Sequence, residues 1–149
     1  MLQMLVVLMG IWLTVSYAVL DTRERTTQQV VVKGDVDAAN FAAYRDAVVR
    51  YRTANPTATG TIADASLTWP AGFIRDARWT NLITGGELYV YSLANPVPAM
   101  LQAIYNRSGQ YVMVGVKDAA GNLKNAGGST ISITLPATIP VGALVFVGS

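Results

Sequence analysis

The stretch DAANFAAYRDAVVRYRT, residues 37–53, decides how the rest of the chain folds. Its large apolar side chains recur at spacings of three and four residues, which places them on one stripe of an α-helix. They are Phe41, Tyr44, Val48 and Tyr51. A helix with one apolar face must bury that face, so we predict that it packs against a sheet of the same chain.

The flanking residues indicate where this helix begins and ends. Asp35 and Asp37 can both cap its first amides, because acidic side chains suit the positive end of a helix. Gly34 comes just before them, and Asn55-Pro56 supplies a stop signal. We therefore predict a helix of about four to five turns. Residues 26–35, TTQQVVVKGD, are predicted to be an extended linker or a short strand.

The chain after the helix is dominated by strand signals. Gly85-Gly86 forms a predicted hairpin turn, and a short helix is expected from about Pro98 to Arg107. Residues 118–128 are predicted to be a turn-rich connection. The predicted strands are an edge strand before Pro70, a strand near Arg75 to Thr80, and residues 87–93, 110–118, 129–136 and 143–148. Since strands and helices do not alternate regularly, the fold class is α+β with a mainly antiparallel sheet.

The N-terminus is apolar enough to span a membrane. Residues 1–20 carry no charge, and twenty helical residues rise about 30 Å, the thickness of a bilayer core. The side chains predicted to form this anchor include Leu2, Leu5, Val6, Leu8, Ile11, Trp12, Leu13 and Val15. Ser16-Tyr17-Ala18 could instead be a signal-peptidase site. The missing basic residues and the long apolar run favour a retained anchor.

Three segments follow from this pattern. Residues 1–20 are the predicted transmembrane anchor, 21–35 a linker, and 36–149 an α+β domain. Arg23 and Arg25 argue weakly for a cytoplasmic position of the domain, but long C-terminal domains are translocated largely regardless of charge. We expect the N-terminus to lie inside and the domain outside, partly because of the family resemblance given below.

Composition excludes most catalytic and binding chemistry. The 149 residues include no cysteine and no histidine, which removes disulfides, thiolate zinc sites, histidine metal sites and serine-histidine triads. No glycine-rich phosphate loop is present. The net charge of +2 is dispersed, and its densest basic cluster is only Arg45, Arg50 and Arg52. We therefore predict no enzyme, no cofactor, no metal and no nucleic-acid partner.

Two groups of residues remain as functional candidates. Asp64, Asp76 and Glu87 lie near aromatic residues and could do acid–base chemistry on a sugar, although surface acids explain them better. The candidate interface residues are Trp69, Trp79, Tyr89 and Tyr91. Large amphipathic rings are enriched at protein–protein interfaces, but a small domain also needs them in its core.

Three stretches resemble a known family. They are NFAAYRDAVVRYRTANPTATGTIADASL, then LTWPAGF, then WTNLITGGELYVYS. They are similar to the PilM proteins of plasmid-borne type IVb thin-pilus operons used in conjugation. The resemblance implies a bitopic inner-membrane protein of the pilus assembly machinery, with a periplasmic body that contacts pilin and other biogenesis proteins. It brings no catalytic residues. A minor pilin or pseudopilin-like subunit is the alternative.

Overall fold

Helix and sheet bounds are given by a computed structural model, which describes residues 2–96 and 98–148, with side chains from residue 28 onward. The chain divides into two units between Lys33 and Gly34. Within the described residues, no helix is both long and apolar enough to cross a bilayer. The anchor predicted for residues 1–20 lies outside the residues whose side chains are described.

The second unit is an α+β fold, as the sequence predicts. Its six strands form one sheet of order β1-β2-β6-β3-β4-β5, and every neighbouring pair is antiparallel. The helices and strands are α1 (Leu2–Ala54), a 3₁₀ turn (Asp64–Ser66), β1 (Trp79–Thr84), β2 (Glu87–Ser92), α2 (Pro98–Arg107), β3 (Val114–Lys117), β4 (Asn122–Asn125), β5 (Thr130–Thr134) and β6 (Leu144–Gly148).

Helix α1 is continuous through the region expected to interrupt it. Residues 26–35 are helical, so the prediction of a linker or short strand there is wrong, as is the prediction that Asp35 and Asp37 cap a helix start. Gly34 is a buried residue in the middle of the helix. A Cβ at this position would lie 3.2 Å from the carbonyl oxygen of Ala99, at the start of α2. The glycine therefore permits close packing of α1 on α2, and this contact outweighs its low helix propensity.

The predicted apolar stripe of α1 forms one side of the core. Phe41, Tyr44 and Val48 are at most 1% exposed and lie in a cluster with residues from the strands and from α2. Their neighbours in this cluster include Trp79, Ile83, Leu88, Val90, Met100, Ile104, Val114 and Leu144. Tyr51 is partly buried against the same cluster, so the whole predicted stripe contacts the core.

The opposite face of the sheet is buried as well. Tyr89 and Tyr91 of β2 lie in a second cluster with Val145 and Val147 of β6 and with Leu135 and Ile139 beyond β5. The buried Lys117 side chain donates hydrogen bonds of 2.8 Å to the carbonyl oxygens of Pro136 and Ile139. These bonds hold the segment between β5 and β6 to the end of β3.

The strand predictions are confirmed in outline and wrong in three places. The β1–β2 hairpin pairs Thr84 with Glu87 around Gly85 and Gly86, whose φ values of 62° and 86° suit a type I′ turn. The edge strand expected before Pro70 is not formed, and β1 begins at Trp79 rather than near Arg75. Residues 122–125, expected to be a connection, form β4.

Candidate functional site

The four predicted interface aromatics are mostly inside the second unit. Trp79 is 0% exposed, and Tyr89 and Tyr91 are 6% and 8% exposed. Burial raises the pKa of both tyrosine hydroxyls. Trp69 is half-buried, and its ring stacks on Tyr44 at 5.7 Å between ring centroids. Their packing explains their presence in the sequence, and their role at an interface stays a prediction.

The three candidate carboxylates have different surroundings and different partners. Asp64 pairs with Arg75, with 2.8 Å between Oδ2 and Nη1, whereas Asp76 pairs with Arg78. Glu87 is exposed at the start of β2. Two of the three side chains therefore serve in separate ion pairs.

A polar network ties α1 to the segment before β1. Arg78 donates to the buried Asp37 of α1 across 2.7 Å, and its Nε donates to Asp76 across 2.8 Å. Asn40, one turn further along α1, accepts a 3.0 Å hydrogen bond from the Trp79 indole. The sequence offers no signal for this network, because its members are far apart along the chain.

A second buried network fixes the other end of the same helix face. Asn81 is 1% exposed, and its side chain accepts a 2.7 Å bond from the Ile62 amide and donates a 2.9 Å bond to the Tyr44 hydroxyl. Burial raises the pKa of that hydroxyl. Since buried polar groups are costly to leave unpaired, these bonds define how α1 is rotated about its axis. The same rotation determines which side chains α1 turns outward.

The ion pair of Asp76 predicts a specific pH dependence. The hydrogen bond from Arg78 holds the pKa of the Asp76 carboxyl below its usual value. Stabilisation from a lowered pKa is present above the unfolded-state value, about 4, and is lost as the pH falls through the folded-state value. We expect Asp76→Asn to be less stable at about pH 7, and to lose less stability than the parent between about pH 7 and pH 3.

Urea titrations of the full chain in detergent at the two pH values measure this difference. The remaining carboxylates titrate in both proteins, so only the difference between the two profiles reports on Asp76. A profile for Asp76→Asn as steep as that of the parent would contradict the prediction.

The outward side of α1 forms a groove, which we call the arginine groove. Its volume is about 410 Å³, and it lies between the end of α2 and the loop that contains Pro70. It is lined by Ala39, Ala42, Ala43, Arg45, Asp46, Arg50, Pro70 and Arg107. The three alanines are half-buried, whereas Arg50 and Arg107 are exposed. The groove thus has a floor of small side chains and basic walls.

The arginines of the groove are held in different ways. Arg45 pairs with Asp46 at 2.7 Å, and its guanidinium carbon lies 5.3 Å from the centre of the Phe146 ring. Arg50 donates a 3.1 Å hydrogen bond to the carbonyl oxygen of Thr68. Among residues 28–96 and 98–148, neither Arg50 nor Arg107 makes an ion pair. Two exposed guanidinium groups therefore have no carboxylate partner among the side chains that the structure describes.

The sequence predicted no groove here, and it indicated only a basic cluster of Arg45, Arg50 and Arg52. Arg52 does not line the groove. It donates instead to the carbonyl oxygens of Pro56 and Gly86, near the end of α1. Arg107 joins the groove from α2, and no local pattern in the sequence connects the two helices.

A family model and a similar solved structure both indicate one family. A family model described as PilM matches residues 8–147. The crystal structure of a PilM protein from Escherichia coli B7A is similar, with a TM-score of 0.62, 27% identity, and coverage of 78% of this chain and 92% of that one. A pilM protein from Pseudomonas aeruginosa 2192 gives a TM-score of 0.44 at 29% identity, covering 77% and 95%. A search of curated proteins gave no match.

Proposed function

The chain belongs to the PilM family, and from this membership we propose that it is a non-enzymatic component of the assembly apparatus of a type IV thin pilus used in conjugation. The observation that carries the proposal is the family match over residues 8–147, which includes nearly the whole chain. Membership makes the protein pilus-related; the specific role, assembly by protein–protein contacts in the periplasm, is our inference.

The side chains of the second unit support a role in protein–protein contacts. Its carboxylates Asp37, Asp64 and Asp76 are bound by arginines that join separate segments of the fold. These ion pairs explain the three acids as residues that stabilise the fold. Arg50 and Arg107 of the groove, in contrast, are exposed. Arg50 uses one N–H group to bind the Thr68 carbonyl oxygen, and its other N–H groups can bind another molecule.

The proposed location follows from the apolar N-terminus. Residues 1–20 would anchor the chain in the inner membrane with the N-terminus in the cytoplasm, and the second unit would lie in the periplasm. In that position the unit could contact pilin and other biogenesis proteins on the side of the membrane where pili are assembled.

Membrane fractionation of a C-terminally tagged chain, expressed with its neighbouring genes, tests the anchor. We expect the alkaline-washed membrane pellet to contain a chain whose N-terminus is the intact Met1. Mass spectrometry of the pellet and of the soluble fraction identifies that terminus. A soluble chain that begins near Val19 would show instead that residues 1–18 are removed.

A minor pilin or pseudopilin-like subunit is a second candidate, and the continuity of α1 favours it. The helix runs from Leu2 to Ala54 without a break at Gly34, where the sequence predicted one. The first unit of the chain also exposes Val30, Val31 and Val32, each by about half or more. These apolar side chains could pack against other helices. Purified, sheared pili distinguish the two roles. Stoichiometric amounts of the chain in the pili, with none left in the membrane, would establish the subunit and overturn the assembly role.

A further inference from the structure

The arginine groove has the dimensions of a short helix-binding surface. Ala39 and Arg50 are eleven residues apart on α1, which corresponds to about 17 Å or three helical turns. The alanine side chains between them are small, so the backbone of a second helix could approach α1 closely. A partner of about three turns would cover this length.

The charge of the groove selects the kind of partner. Its lining carries three arginines and one aspartate. Asp46 is already bound by Arg45, which leaves Arg50 and Arg107 to bind carboxylates supplied from outside. Arginine binds carboxylates in a planar, two-pronged geometry, and such pairs fix the orientation of a partner.

We propose that the arginine groove binds an acidic α-helix of another protein. The carboxylates of this helix pair with Arg50 and Arg107, and its small or apolar side chains lie on Ala39, Ala42 and Ala43. The inference rests on the proposed function, in which the second unit acts through protein–protein contacts, and it names the chemistry of the partner.

A helix fits the groove better than an extended segment does. The floor is a helix surface and offers no strand edge, so an extended chain would find no backbone partner there. A helix satisfies its own backbone and needs only side-chain contacts, which the alanines and arginines supply.

A second copy of the chain fits less well than a different protein. Helix α2 contains no acidic residue. Asp37 and Asp46 of α1 are bound to arginines, which leaves only Asp35 among the acids of α1 whose side chains are described. The sequence of the first unit has Asp21 and Glu24, but Arg23 and Arg25 alternate with them and cancel their charge. The described helices therefore offer no run of free carboxylates three turns long.

The test uses a defined probe and the full chain in detergent micelles. The probe is an alanine-based helical peptide of about 15 residues with two glutamates about seven residues apart, which lie on one face without i,i+4 repulsion. Its control has glutamine at those two positions. Methyl NMR signals of Ala39, Ala42 and Ala43 report binding at the groove. We expect saturable shifts of these signals with the glutamate peptide and none with the glutamine peptide.

Charge-reversal variants locate the binding on the protein. Arg50→Glu and Arg107→Glu are each expected to weaken binding of the glutamate peptide at least tenfold. Lys124→Glu, a matched charge change on the exposed side of β4, is expected to leave it within about twofold, since distant exposed charges are screened by salt. Equal binding of both peptides, or equal weakening by all three variants, would overturn the proposal.

A photo-crosslinker at Ala43 in cells that assemble pili identifies the natural occupant. We expect a crosslinked helical segment rich in Asp and Glu from another pilus protein, which is lost in Arg107→Glu and kept in Lys124→Glu. A crosslink to a second copy, to lipid or to a neutral segment would refute the acidic partner. Membrane fractionation is independent of these results, so the groove proposal can fail while the proposed assembly role stands.

Discussion

Replacing Trp79 by alanine is expected to lower the free energy of unfolding by about 4 kcal/mol. The side chain is 0% exposed and lies at the centre of the core between α1 and the sheet. Its ring meets Phe41 edge to face at 5.1 Å between centroids, and its indole nitrogen donates to Asn40. The truncation leaves a large cavity and removes one of the two hydrogen bonds that the Asn40 oxygen accepts, the other coming from the Asp76 amide. Both changes destabilise the fold.

The variant Trp79→Phe separates these two contributions. It keeps an aromatic ring next to Phe41 but removes the hydrogen bond to Asn40, so we expect about half of the loss seen with alanine. Urea denaturation of the full chain in detergent, followed by far-ultraviolet circular dichroism, measures both variants. A loss below about 1 kcal/mol for alanine would mean that Trp79 does not hold α1 on the sheet.

Trp79 also shows why the contact of α1 with the sheet could be predicted only in part. The spacing of Phe41, Tyr44 and Val48 gives the buried face of the helix directly, because helical periodicity is a local property of the sequence. The residues that complete this contact, Asn40 and Arg78, are polar and lie far apart along the chain. Their partners depend on the tertiary fold.

The start of α1 shows the limit of local signals. Gly34, with Asp35 after it, resembles a helix boundary, yet the helix continues through both residues. Local propensity is a weak preference, and packing on Ala99 of α2 outweighs it. The end of the helix at Ala54 was predictable, since a proline two residues later cannot donate the next backbone hydrogen bond.

Strand β4 was not predicted from the sequence, for a different reason. Residues 122–125, NLKN, contain a single apolar residue, Leu123, so they show no alternation to detect. Leu123 is nevertheless fully buried in the second cluster. The neighbouring strands and the segment between β5 and β6 create that environment, which is not visible in the sequence of the strand itself.

The arginine groove could not be predicted from the sequence for the same physical reason. Sequence analysis identified Arg45 and Arg50 as basic neighbours, but Arg107 reaches them only because α2 ends beside α1. The outward position of the three alanines depends on the rotation of α1, which the buried Asn81 and Asp37 define. A surface of this kind can be derived only from the assembled fold.

The second large effect is expected at Gly115, in the middle of the sheet. Gly115 belongs to β3 and pairs with Val145 of β6 on one side and with Asn125 of β4 on the other. A Cβ at this position would lie 2.7 Å from the carbonyl carbon of Lys124 and 2.9 Å from the Cα of Asn125. Both are backbone atoms of β4, so Gly115→Ala is expected to force the two strands apart and cost about 3 kcal/mol.

Gly127→Ala is the matched control, because it adds the same methyl group to the turn after β4. There the nearest atom is the Asn125 Oδ1 at 3.4 Å, an ordinary contact, so we expect a change within about 0.5 kcal/mol. Amide exchange should become faster in β3 and β4 of Gly115→Ala, while β1 and β2 stay protected, since the first hairpin does not contain the clash. Equal stability of the two variants would show that β3 and β4 can separate at little cost. Faster exchange throughout the sheet at equal denaturant would instead show that β3 and β4 unfold together with β1 and β2 as one cooperative unit.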